Sequence, residues 1–200
     1  MESKSTGIIV LSGGTSARFG SDKSGALIGG QTLIARILTS IPDEFEIIVV
    51  GPDPVVQSVR YICVQENPLG GGPVAGFKAG LDACASEVIA LTATDMPFAI
   101  GHVINLLNSM TSYDDAIMYV DSAGFKQPLA AVYRVGAVEK VLKEIGNVHG
   151  QSMRNLVAQL RVREIPISSE IAQALIDIDT QADLERAIVF SKSLENNSGL

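Results

Sequence analysis

Residues 11–23 read LSGGTSARFGSDK and follow directly on the apolar run Ile8, Ile9, Val10 and Leu11. An unbroken, mostly β-branched run of this kind predicts a strand buried on both faces, which is the signature of a parallel sheet rather than of a half-exposed one. The segment that leaves this strand carries Gly13, Gly14 and Gly20, with Arg18 and Lys23 among them. Glycines let backbone N–H groups approach a ligand closely, while a guanidinium fork and a mobile ammonium supply positive charge, so the composition suits a polyanion. Two familiar phosphate loops do not fit. Lys23 follows Asp22 rather than glycine and precedes Ser24 without the Walker spacing, and Gly13, Gly14 and Gly20 do not make G-x-G-x-x-G. Glycines alone would equally describe an ordinary strand-to-helix loop. Ser16, Arg18, Asp22 and Lys23 in this order tilt the reading toward a phosphate site.

The rest of the chain bounds what such a loop serves. Two hundred residues with 46% hydrophobic and 18% charged side chains are enough for one sizeable core, and the absence of Trp marks that core as mainly aliphatic. The expected organisation is a single domain over residues 1–190, with residues 191–200 as a fraying tail. A formal net charge of −7 argues against sequence-independent nucleic-acid binding, which needs clustered cations. No apolar run approaches the roughly 18 residues of a membrane span, so a cytoplasmic protein without a membrane partner is expected. Cys63 and Cys84 form no CxxC pair and lie near no histidine cluster, which makes zinc or a disulfide framework improbable.

Along the chain, strand-like and helix-like segments alternate. Helical spacing covers residues 33–38 with Thr32 as N-cap, strands are expected over 46–51 and 61–65, and the segment ENPLGGGPVAG at 66–76 marks a turn before a helix over 74–83. A buried strand over 88–92 ends in Thr94, Asp95, Met96 and Pro97; a helix follows over 100–110. Strands over 116–121 and 129–133 flank a turn, and helices are expected over 136–145, 153–159 and from Gln181, with a strand over 162–165. This order predicts an α/β fold with a mostly parallel sheet covered on both faces, and it places the glycine loops and Asp95 at carboxyl ends of strands, where open α/β sheets bind ligands. Asp95, just past an apolar strand and stiffened by Pro97, is placed to hold a cation; taken alone, it reads equally as a helix cap.

Five segments together resemble the nucleotidyltransferases of the molybdenum cofactor guanylyltransferase type: LSGGTSARFGSDK, GPVAG, DMP, QPLAAVY and DTQADL. The resemblance spans most of the chain. It implies a Rossmann-like three-layer α/β/α fold with a mostly parallel mixed sheet, of the nucleotide-diphospho-sugar transferase kind. It further implies that Leu11, Ser12, Gly13 and Gly14 receive the base, with Glu66 and Gly72 also on the nucleotide. Arg18 and Lys23 would neutralise the triphosphate, and Lys23 would act on the transition state as well. Asp95 would bind Mg²⁺ and join Arg18 and Lys23 as the catalytic set, with Asp179 as a second metal ligand. Arg154 and Asp177 would face the acceptor. Gly13 stands where cytidylyl-transferring relatives tend to carry alanine, which favours a purine. Glu66 replaces a frequent aspartate, and Asp177 and Asp179 replace frequent asparagines.

The implied reaction moves GMP from GTP to the phosphate of molybdopterin and releases pyrophosphate, with Mg as cofactor. Transient contacts with other cofactor-synthesis proteins or acceptor apoenzymes go with that role. Two further readings stay open from the residues. One is transfer to another phosphorylated acceptor, such as a sugar phosphate, an alcohol phosphate or phospholactate, or cytidylyl transfer to molybdopterin. The other is a nucleotide-binding protein without catalysis, against which the joint presence of Arg18, Lys23 and Asp95 argues.

Overall fold

The computed structural model describes residues 6–13 and 25–198. Its main sheet has seven strands: β1 (Thr6–Leu11), β4 (Glu46–Val50), β5 (Ile62–Val64), β6 (Val88–Ala93), β7 (Ala116–Val120), β8 (Lys126–Arg134) and β9 (Val162–Pro166), in the spatial order β5-β4-β1-β6-β8-β7-β9. A small hairpin pairs β2 (Leu27–Ile28) with β3 (Gln31–Thr32). The helices are α1 (Leu33–Thr39), α2 (Pro73–Ala83), α3 (Ile100–Leu107), α4 (Val135–Ile145), α5 (Met153–Val157), α6 (Ser169–Ala174) and α7 (Gln181–Ser198).

The predicted double burial of the first strand holds: Ile8, Ile9 and Val10 are each 0% exposed although successive side chains point to opposite faces. Both faces of β1 are therefore covered, as a parallel strand at the centre of a three-layer α/β/α fold requires. Burying each such side chain contributes about 1.5–3 kcal/mol, so this one strand anchors the sheet. Strand β1 pairs in parallel with β4 and β6, and β4 with β5. The exception to parallel order is β8, antiparallel to both β6 and β7. Leu91 faces Ala131 in that register, so the amino end of β8, around Gln127 and Pro128, reaches the same rim as the carboxyl ends of β1 and β6. A buried Tyr133 ties that end down by donating its hydroxyl to the Pro128 carbonyl at 2.6 Å, and burial pushes its phenol far above the ordinary range.

The N-cap expected at Thr32 is present, its hydroxyl accepting from the Ala35 N–H at 3.3 Å. Several elements differ from the sequence expectation. The β2–β3 hairpin has only two residues per strand, too short to leave a period in the sequence. Helix α6 is six residues long, with Ser168 as its cap and a single fully buried residue, Ala174. The expected tail from Ser191 onward is instead the end of α7: Ser191 is 3% exposed, and Phe190 stacks edge-on against Phe98 at 5.1 Å. Tertiary contacts with Phe98, not local hydropathy, hold that helix in place.

Two apolar clusters result. The larger one follows the seven-stranded sheet and its covering helices. The smaller gathers Ala26, Ile28 and Leu33 from beyond the first glycine segment with Ile178, Leu184 and Ala187 from the closing segment, and Phe98 and Ile188 pack against it. No helix among the described residues is long and apolar enough to cross a membrane.

Candidate active site

Four parallel strands end side by side, and backbone hydrogen bonds zip their ends together. The Gly51 N–H donates to the Val64 carbonyl at 2.8 Å, joining β4 to β5. The Ser12 N–H donates to Val50 at 2.7 Å, joining β1 to β4. On the other side, both the N–H and the hydroxyl of Thr94 donate to the Leu11 carbonyl at 3.0 Å, joining β6 to β1. Leu11, Ser12 and Gly13, the described part of the expected base-binding backbone, thus lie between the β4 end and the loop that carries Asp95.

Gly51 is a residue of this rim for which sequence reading found no role beyond the end of a strand. Its φ of 138° lies in the region that favours glycine, and a Cβ there would stand 2.9 Å from the Ser12 carbonyl carbon and 3.0 Å from the Gly13 nitrogen. Backbone cannot swing aside as a side chain does, so any other residue at 51 would displace the first glycine segment. Gly13 is the opposite case: the nearest described atom to a Cβ built on it is the Gly51 Cα, at 4.0 Å. Among the described residues, nothing fills the space beside Gly13.

The closing segment arrives at the same place. The Ile178 N–H donates to the Asp95 carbonyl at 2.9 Å, and the Ile178 side chain is 0% exposed in the smaller apolar cluster. Residues Asp177 and Asp179, both exposed, flank that hydrogen bond. Asp95 is half-buried in the turn after β6, where the Met96 N–H returns to Ala93 at 3.1 Å. The two carboxylates expected to hold metal, eighty-odd residues apart in sequence, are therefore carried by hydrogen-bonded neighbouring backbones. Among the described residues, no three His, Cys, Asp or Glu side chains gather into a metal-binding group.

Asp183 makes the start of α7 rigid. Its Oδ2 accepts from the Thr180 N–H at 2.8 Å, the Thr180 hydroxyl at 2.7 Å and the Asp179 N–H at 3.2 Å, while the Asp183 N–H donates back to the Thr180 hydroxyl at 3.2 Å. This is a capping box with aspartate in the third helical position. Arg186 pairs with its other oxygen. The Thr180 hydroxyl, the Arg186 guanidinium and the two backbone donors hold the Asp183 carboxyl down at about 2, so it stays ionised at any pH at which the protein is expected to work.

The second glycine segment lies along the rim beyond β5. One carboxylate oxygen of Glu66 accepts from the Gly70 N–H at 3.0 Å, so part of this expected nucleotide contact shapes its own loop. Gly72, with φ of 84°, precedes Pro73 at the start of α2. The loop before α5 is fastened here, because the Gly150 N–H donates to the Gly71 carbonyl at 2.8 Å. That bond brings the first turn of α5, including the exposed Arg154, beside the glycine segment. It also places His149, which the sequence left without a role, with its Cδ2 3.6 Å from where a Gly71 Cβ would be. Gly14, Arg18 and Lys23, the remaining sequence-derived site residues, lie outside the described residues.

A further open cavity lies away from this rim. Its volume is about 630 Å³, and it lies between α1, α3, α6 and α7, where Arg36, His102, Glu170 and Phe190 line it. The strand-end rim, not this cavity, collects the sequence-derived residues.

Comparison with known proteins agrees with this geometry. The family model described as the MobA-like NTP transferase domain matches residues 8–164. A protein named probable molybdenum cofactor guanylyltransferase, from Bacillus cereus, is 30% identical over 199 residues, covering 94% of this chain and 96% of its own. Among solved structures, molybdopterin-guanine dinucleotide biosynthesis protein A from Archaeoglobus fulgidus superposes with a TM-score of 0.73 at 22% identity, over 93% of this chain and 98% of that one. The 2-C-methyl-D-erythritol 4-phosphate cytidylyltransferase of Thermus thermophilus shares the fold at a TM-score of 0.66 and 14% identity, over 94% of this chain and 99% of its own. With the strand ends, Asp95 and the closing segment joined at one rim, and with this extent of matching sequence, the chain belongs to the MobA-like NTP transferase family and is a nucleotidyltransferase of the molybdenum cofactor guanylyltransferase type.

Proposed function

We propose that this protein transfers GMP from GTP to the terminal phosphate of molybdopterin. The observation that carries the reading is the 2.9 Å hydrogen bond from Ile178 to Asp95, beside the double Thr94 contact on Leu11. Together they bring the expected base-binding backbone, the expected metal aspartate and the closing motif to one edge of the sheet. The full-length match to guanylyltransferase relatives supports the choice of nucleotide and acceptor.

In the proposed reaction an acceptor phosphate oxygen forms a bond to the α-phosphorus of GTP in line with the bond to the departing pyrophosphate. The attacking oxygen is already anionic, so no enzyme nucleophile is required, and the protein's work is alignment and charge neutralisation. Ser12 and Gly13 present backbone to the base, and glycine rather than alanine at position 13 favours a purine. Arg18 and Lys23 neutralise the triphosphate, with Lys23 also meeting charge that develops on the transferring phosphate. Arg154 and Asp177 face the acceptor. Asp95 and Asp179 are hard oxygen donors on adjoining loops, a partial set that fits Mg²⁺ completed by substrate phosphates. When bound, that ion supplies Lewis-acid stabilisation of phosphoryl charge. The same reading makes the sheet and its helices, α7 included, one catalytic domain working in the cytoplasm.

A pyrophosphate-release assay with each of the four nucleoside triphosphates, with and without molybdopterin, tests this. Release with GTP alone, and dependent on molybdopterin, is expected; preference for CTP, or for a different phosphorylated acceptor, overturns it. Lys23→Ala and Asp95→Ala are each expected to lower turnover about 10²–10³-fold with the melting temperature preserved, the size seen when one preorganised charge contact is removed. Turnover within a few fold of the parent would remove that residue from the catalytic set.

A further inference from the structure

The closing segment carries an aspartate to which neither composition nor resemblance gives a task. We propose that Asp183 is the positioning residue of Asp179, and so fixes the second carboxylate of the metal site without touching the metal. The inference rests on the reading of Asp95 and Asp179 as metal ligands.

Four observations carry it. Asp183 is 9% exposed, and its Oδ2 collects the N–H groups of both Asp179 and Thr180. These donors stand at the amino end of the 18-residue α7, where a carboxylate on the preceding residue is itself drawn to cap the helix. With the Thr180 hydroxyl also on Asp183, that capping role belongs to Asp183 rather than to Asp179. On its other side, the Asp179 backbone is held through Ile178, whose N–H is on Asp95 and whose side chain is sealed in the smaller cluster. Asp179 is thus clamped from both directions, by the turn after β6 and by the third residue of α7. Removing the second clamp frees the Asp179 backbone to rotate and leaves the first intact, so the loss is expected in metal affinity before it is expected in folding.

The test measures binding of Mn²⁺ to the full chain in the presence of GTP and without acceptor, read by water-proton relaxation, so that no turnover is involved. Asp183→Ala is expected to weaken Mn²⁺ binding about tenfold, with GTP affinity in the absence of metal changed less than threefold. Asp183→Glu, which keeps a carboxylate in the favoured capping-box position, is expected to restore it to within threefold of the parent. Folded Asp183→Ala protein that binds Mn²⁺ within twofold of the parent, while Asp179→Ala weakens binding, overturns the proposal. If Asp179→Ala itself leaves Mn²⁺ affinity unchanged, the reading of Asp179 as a ligand falls, and the proposal with it. Should Asp183→Ala fail to fold, Thr180→Val, which removes only the hydroxyl partner, is expected to weaken binding about threefold; unchanged affinity there overturns the proposal equally.

Discussion

The two halves of the main sheet are held at their edges in different ways. Across β5, β4, β1 and β6 the rim is joined by main-chain bonds at Gly51, Ser12 and Thr94, and side chains do little of the joining. Across β8, β7 and β9, main-chain bonds such as the Asp115 N–H to the Arg161 carbonyl at 3.0 Å and the Ile167 N–H to Val120 at 2.9 Å are supplemented by charged ties: Lys126 to Glu164 at 2.9 Å, Arg163 to Asp114 at 3.1 Å, and Arg161 as a fork on Asp115 at 2.7 and 3.0 Å. Arg161 holds the Asp115 carboxyl below its usual range, and the Thr111 donors with Arg163 do the same for Asp114 despite partial burial. A rim made of backbone presents N–H and C=O groups at fixed spacing and fails only where the backbone itself is forced to move. The surface ion pairs added in the other half gain less from each contact, since water competes for exposed charges.

Three substitutions sharpen or break this contrast. The largest effect is expected for Ile178→Ala, which removes a side chain with 0% exposure from the small cluster that docks the closing segment on Asp95. A loss of about 2–5 kcal/mol by denaturant unfolding is expected, the range for truncating buried isoleucine; a loss below about 1 kcal/mol would mean that the closing segment does not depend on that cluster. Next comes Gly51→Ala. Its strained backbone region and the 2.9 Å approach to Ser12 predict a cost of about 1–3 kcal/mol, accompanied by a raised KM for GTP. A neutral outcome would show that the β1–β4 junction is more pliable than its hydrogen bonds suggest. The smallest is Arg161→Ala. With 69% of the arginine side chain exposed, its bidentate pair with Asp115 is expected to be worth no more than about 1 kcal/mol. If thermal melts show Arg161→Ala to be more destabilising than Gly51→Ala, the contrast between the two halves is wrong.

Much of the left half of the sheet was legible in the sequence, for a physical reason. Strand β1 is apolar on both faces because it lies at the centre, and its glycines and Asp95 are punctuation that local chemistry explains. Thr32 marked a helix start by the same kind of local rule. The right half was read less completely. Strand β8 is nine residues long where five were expected, since Lys126 and Gln127 are polar and join the strand only through register with β7. Because a lone glycine at a strand end carries no signal of its own, the glycine at 51 reads as the last residue of a strand over 46–51, although β4 ends at Val50. Only its approach to Ser12 and Gly13 shows why no side chain fits. The bond from the Gly70 N–H to Glu66 was likewise invisible from composition.

The sequence by itself determined the kinds of element, the apolar core strands and the chemical inventory of the site, because these follow from periodicity and from what each side chain can do. Tertiary structure alone decided which of those residues meet. That Ile178 reaches Asp95, that α7 continues through Ser191 against Phe98, and that the loop of His149 closes on Gly71 all depend on contacts between segments distant in sequence. Such contacts leave no local pattern, since the free energy that selects them comes from burying surfaces and pairing backbone groups supplied by different parts of the chain.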